Sequence, residues 1–86
     1  MLMTAFKINV RNSTDGKQVT LEVEPEMTIQ SILDVIIEYW QFKNRVVLAL
    51  AQGKENKILN PSTTIQENKI TEGIELLIMP DSEGGF

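Results

Sequence analysis

The sequence predicts a two-layer α+β domain, with one helix laid across one mixed sheet. Three observations lead there. Residues 6–10 and 19–23 alternate apolar and polar side chains around a polar turn, the pattern of an antiparallel hairpin. Ile29, Ile32, Leu33, Ile36 and Trp40 recur at helical spacing, giving a single apolar stripe. Residues 46–51, and 74–79 apart from Glu75, are apolar runs of strand length, the signature of strands covered on both faces.

Each element has a local cause. Phe6, Ile8 and Val10 share one face of the first strand, and Lys7, Asn9 and Arg11 share the other, because side chains alternate along a strand. Residues 12–17 read Asn-Ser-Thr-Asp-Gly-Lys. This is turn chemistry, and Gly16 accepts a positive φ at little steric cost. Val19, Leu21 and Val23 alternate with Thr20, Glu22 and Glu24 on the return strand. Pro25 ends that ladder, since it has no N–H to donate. Thr28 is placed to cap the helix, which is expected from Ile29 to about Tyr39. Ile36 and Ile37 are β-branched and lower its intrinsic propensity slightly, a deficit that packing of the stripe overrides. Residues 52–56 read as a turn, Lys57-Ile58-Leu59 as a short strand, and Asn60-Pro61 as its end. Thr63 with Gln66, or Thr64 with Glu67, has the spacing of a capping box and predicts one helical turn. Residues 80–86 have no apolar period and read as an exposed tail. The chain therefore divides into a body, residues 1–80, and a tail, residues 81–86.

Composition narrows the function. Eighty-six residues with 42% hydrophobic content support one small core and exclude disorder. The net charge is −4, from 12 acids and 8 bases. The lysines are scattered, so nothing concentrates cations against phosphates, and nucleic acid is not expected. Cysteine and histidine are both absent. That removes thiol nucleophiles, imidazole bases and Cys/His metal sites, and a cysteine-free small fold favours the cytoplasm. Met1-Leu2-Met3-Thr4 lacks a basic stretch followed by an apolar run, so no secretory leader is expected. The apolar runs are too short to cross a bilayer. Asp34 and Glu38 place two carboxylates on one helical face, but no acid–base partner accompanies them, so they read as a solvated face. Gly16-Lys17 lacks the other glycines and the hydroxyl residue of a phosphate loop. Neither an enzyme nor a bound cofactor is expected.

A hairpin followed by a crossover helix lets the next strand pair parallel with the first. The last strand, apolar on both faces, most naturally fills the sheet centre. That arrangement is a β-grasp, with four to five strands packed on one helix. Particular residues sharpen it. Gly16, Lys17, residues 20–25 (Thr-Leu-Glu-Val-Glu-Pro), Thr28 and Ile29 resemble the first hairpin and helix entry of the ubiquitin family. Gly53-Lys54 stands where that family has a Gly-Lys turn, and residues 64–70 resemble its Thr-Leu-Ser-Asp-Tyr-Asn-Ile turn. Gly84-Gly85 follow the body, with Phe86 after them.

The resemblance implies a cytoplasmic protein modifier, monomeric when free. Phe86 would be removed by a processing protease, leaving Gly85 with a free carboxylate. An activating and a conjugating enzyme would then join Gly85 to amines on target proteins. Paired glycines suit this because an extended backbone without Cβ atoms threads a narrow channel. Asp81 and Glu83 precede the pair, so the activating enzyme should offer a basic groove. Two alternatives stay open: a non-covalent adaptor subunit of a secretion or oxygenase complex, and a sulfur carrier, which would also need Phe86 removed. The family's partners dock on an apolar patch of the third and last strands. Here the matching residues are Leu50, Leu77 and Met79, with Leu77 expected to be exposed in mid-sheet. Leu50 joins them when Gly53 anchors the third strand. A slip of one residue buries Val46, Leu48 and Leu50 instead, and both registers are open. Lys17 and Lys54 match two chain-forming lysines of the family by local context.

Overall fold

The computed structural model describes residues 5–52 and 55–81 of the chain. Its elements are β1 (Phe6–Asn12), β2 (Gln18–Val23), α1 (Ile29–Trp40), β3 (Val46–Gln52), β4 (Glu55–Ile58) and β5 (Glu75–Pro80). The strands form one five-stranded sheet in the order β2-β1-β5-β3-β4. β1 pairs antiparallel with β2 and parallel with β5, and β3 pairs antiparallel with β4 and β5. This is the β-grasp that the element order predicts, with the last strand at the centre. The strand parallel to β1 is β5, not the one that follows the helix. Its run of Leu76, Leu77 and Ile78 is buried throughout, which suits the middle position of the five.

The core lies between α1 and the sheet. Ile29, Ile32, Leu33 and Ile36 descend from the helix onto Ile8, Val10, Leu48, Leu76 and Ile78. Removing each such side chain from water is worth about 1.5–3 kcal/mol. Leu59, Ile65 and Ile70, from the long connection before β5, complete the cluster. That connection is tied to the helix entry. The Ile29 N–H donates to the Thr63 carbonyl at 2.8 Å, and the Ile65 N–H donates to the Met27 carbonyl at 2.8 Å.

Capping follows the sequence closely. Thr28 Oγ1 accepts the Ser31 N–H at 3.1 Å. Thr64 and Glu67 form the reciprocal box: Thr64 N–H donates to Glu67 Oε1 at 2.9 Å, and Glu67 N–H donates to Thr64 Oγ1 at 3.0 Å. Gly16 takes φ +79°, as its turn requires. The helix end is less obvious. α1 runs to Trp40 and stops on Gln41, a non-glycine residue in the left-handed region at φ 57°, ψ 48°. Glycine usually fills that place.

In the second half of the sheet one expectation is corrected and one open choice is settled. β4 begins at Glu55 rather than Lys57, because pairing with β3 continues through Ala51↔Asn56 and Gln52↔Glu55. All four residues of β4 are exposed, and charged residues are common on an edge strand. β3 adopts the slipped register. Leu48 is fully buried, and Val46 and Leu50 pack on the same core. The alternative would have set Val47 and two alanines under the helix, leaving voids that cost stability.

Candidate protein-binding face

The register assigns each strand residue to a face. Leu50 pairs with Leu76, and Leu48 with Ile78, on the helix side. Leu50 therefore does not share a surface with Leu77 and Met79, and its placement in their patch is corrected. The outward residues of β3 are Val47, Ala49 and Ala51, the first two opposite Met79 and Leu77. Ala49 in turn faces Ile58 across β4, and Leu77 faces Arg11 across β1. One row, Arg11, Leu77, Ala49 and Ile58, thus crosses the outer face from β1 to the β4 edge.

Burial along this row overturns a second expectation. Leu77 is only 9% exposed and Ala49 is 0% exposed, whereas Ile58 is 55% exposed. Leu77 sits on the central strand between Arg11 and Ala49, and its neighbours cover it. Among the described residues, Ile58 has no strand beyond it. The outward apolar surface of the row is therefore displaced from the sheet centre to its edge. Ile58 was hidden in the sequence, because its face depends on the β3–β4 register. Met79 is half-buried, and its Sδ accepts a long hydrogen bond from Asn56 Nδ2 at 3.9 Å.

Charges border the apolar row. Arg11 Nη2 lies 3.3 Å from Glu75 Oε1, both partly exposed, and Arg45 Nε lies 3.8 Å from Asp81 Oδ2. Such pairs contribute little stability but fix the border's polarity. An apolar strip with a polar border suits protein contact. Among the described residues, no group of three or more His, Cys, Asp or Glu is placed to hold a metal ion, and no helix is long and apolar enough to cross a membrane. Asp34 accepts a hydrogen bond from Gln30 Nε2 at 2.9 Å on an exposed helix face. Lys17 is exposed in the β1–β2 turn, where its backbone N–H donates to Asp15 Oδ1 at 2.9 Å. Lys54, Gly84, Gly85 and Phe86 lie outside the described residues, as does most of the expected tail.

Comparison with solved structures places this architecture. A protein designed de novo on the basis of ubiquitin is 25% identical, with 91% of this chain and 90% of that one covered and a TM-score of 0.76. The ubiquitin of Caldiarchaeum subterraneum is 15% identical, covering 90% of this chain and 94% of its own, at a TM-score of 0.76. The UBL domain of Plasmodium falciparum Dsk2 is 16% identical, covering 91% of this chain and 100% of its own, at a TM-score of 0.75. The fold is ubiquitin-like. No protein-family model and no curated protein matches the sequence.

Proposed function

We propose that this ubiquitin-like protein is a covalent modifier, conjugated through Gly85 after cleavage of the Gly85–Phe86 bond. The observation that carries the reading is the position of Gly84-Gly85. The ladder between β3 and β5 ends with the Asp81 N–H on the Arg45 carbonyl, and Gly85 follows four residues later. The Gly85 carboxylate would attack the α-phosphate of ATP and release pyrophosphate. An enzyme thiolate would displace AMP, and a target amine would then displace the thiolate. This chain has no cysteine, so the thiolate belongs to the activating and conjugating enzymes. The body itself catalyses nothing in this scheme; it serves as a recognition unit.

Glu83 offers a direct test. Digestion after glutamate should leave a Gly-Gly remnant on target lysines, readable by mass spectrometry of protein recovered from native cells. The modifier reading predicts such remnants together with free chains ending at Gly85. If every recovered chain retains Phe86 and no lysine carries the remnant, the reading fails.

A second reading, a non-covalent adaptor, is favoured by Ile58, exposed at the end of the Leu77–Ala49 row. Deleting residues 82–86 separates the two. A modifier loses all activity, whereas an adaptor keeps its partner and loses it only on Ile58→Asp.

A further inference from the structure

A cleft of about 180 Å³ opens where β5 finishes, walled by the β1–β2 turn, the loop between α1 and β3, and the end of β5. Phe42, Val46, Met79 and Pro80 give it apolar sides. Lys43 and Arg45, both exposed, also line it, and no acidic residue does. Ligand pockets for cofactors and drug-sized molecules span about 300–1,000 Å³. This one admits a single side chain.

Asn12 distinguishes the cleft from an ordinary crevice. It is 7% exposed and is the one polar residue buried among the described residues. Its Oδ1 accepts the Thr14 N–H at 2.8 Å. A backbone N–H can meet only the oxygen of a carboxamide, so the orientation of the group is fixed. Nδ2 is then the remaining donor, and it makes no hydrogen bond among the described residues. No such polar atom is sealed without a partner, so Nδ2 keeps access to solvent, and Asn12 lines the cleft.

We propose that this cleft binds an acidic peptide segment of a partner protein. One apolar side chain of the peptide seats against Phe42, Val46 and Pro80, and a neighbouring carboxylate takes the Asn12 amide together with Lys43 or Arg45. Charge complementarity selects this occupant. The chain carries −4 overall, yet the cleft presents two cations and a neutral donor with no acid among its lining residues, so an acidic segment is drawn here and repelled elsewhere. The contact of Arg45 with Asp81 is long, at 3.8 Å, with the Arg45 side chain 81% and the Asp81 side chain 21% exposed. At that length the solvent-facing guanidinium is free to turn toward a ligand. The proposal does not depend on Gly85 being conjugated.

The test is an NMR titration of the full chain with a capped five-residue peptide, Phe flanked by two Glu on each side. Saturable amide shifts are expected at Asn12, Thr14, Lys43, Arg45 and Met79. The same peptide with Gln for Glu, or with Ala for Phe, should bind at least several-fold more weakly. Asn12→Asp retains the acceptor for Thr14 and replaces the donor with an anionic oxygen, so affinity should fall about tenfold or more. Lys43→Gln combined with Arg45→Gln, at exposed positions where folding is not at stake, should weaken binding about three- to tenfold. Equal binding of the Gln peptide, shifts centred on Ala49 and Ile58, unchanged affinity in the Lys43/Arg45 double variant, displacement of the peptide by an oligonucleotide, or no saturable shift would each overturn the proposal.

Discussion

The two faces of β5 bury their side chains by different means. Leu76 and Ile78, at 0% and 1% exposure, lie under a helix. Leu77, between them in sequence, is 9% exposed with no second layer above it among the described residues; Arg11 and Ala49 flank it in the sheet. The inner face is thus held by an interlocked second layer and the outer face, among the described residues, by lateral neighbours. Packing density on the inner face makes any lost volume expensive. On the outer face solvent can follow a retreating side chain, so the same loss is milder. Burial alone therefore misjudges how tolerant a position is.

Three substitutions sharpen this contrast. Leu48→Ala, on the inner face of β3, should lower the unfolding free energy by about 2–5 kcal/mol, measured by urea denaturation. Leu77→Ala removes a side chain of the same size from the outer face and should cost about 1–2 kcal/mol, at or below the lower limit of that range because the site can collapse or hydrate. Equal losses at the two positions would erase the distinction between the faces. Ile58→Thr, at 55% exposure, should change stability by no more than about 0.5 kcal/mol. It should nonetheless weaken capture of any partner that uses the outer face, read by pull-down against the wild-type chain. A large loss of stability there would mean that Ile58 supports the fold rather than a contact.

The first half of the fold was legible because each of its signals has one reading. The alternation of Phe6, Ile8 and Val10, the glycine at position 16, Pro25 after the return strand, and Thr28 before a five-residue stripe all agree. β3 was not legible for a definite reason. Residues 46–51 are apolar at both odd and even positions, so alternation, the signal that fixes register, is missing. Anchoring on Gly53 then placed Leu50 on the wrong face. Volume decides instead: leucines fill the space under the helix, and alanines fit the outer face beside Leu77. The start of β4 was masked by Glu55 and Asn56, polar residues that a fully exposed strand carries without penalty. The Gln41 stop had no glycine to announce it.

The candidate face was legible only in part. The outward direction of Leu77 and Met79 followed from period two. The depth of Leu77 depended on neighbours two strands apart in the sheet, and the prominence of Ile58 on a register that local sequence does not encode. Asn12 looked like one more turn residue. Its buried, half-used amide emerges only when the β1–β2 turn meets the end of β5, where the Ser13 N–H donates to the Ile78 carbonyl at 3.0 Å.

The end of β5 lets go of β3 in steps of two residues. Pro80, opposite Val46, stands at a position whose N–H points away from β3 in any antiparallel strand, because bonds to one neighbour alternate; the last described fastening to β3 is the Asp81 N–H on the Arg45 carbonyl, at 3.0 Å. Fraying there cannot proceed one residue at a time. Once Asp81 lets go, the next holdfast is Met79, and two residues come loose together, adding about 7 Å to the reach of whatever follows. The strand end works as a two-position ratchet, with the Asp81–Arg45 backbone bond and a long ion pair helping to hold one setting.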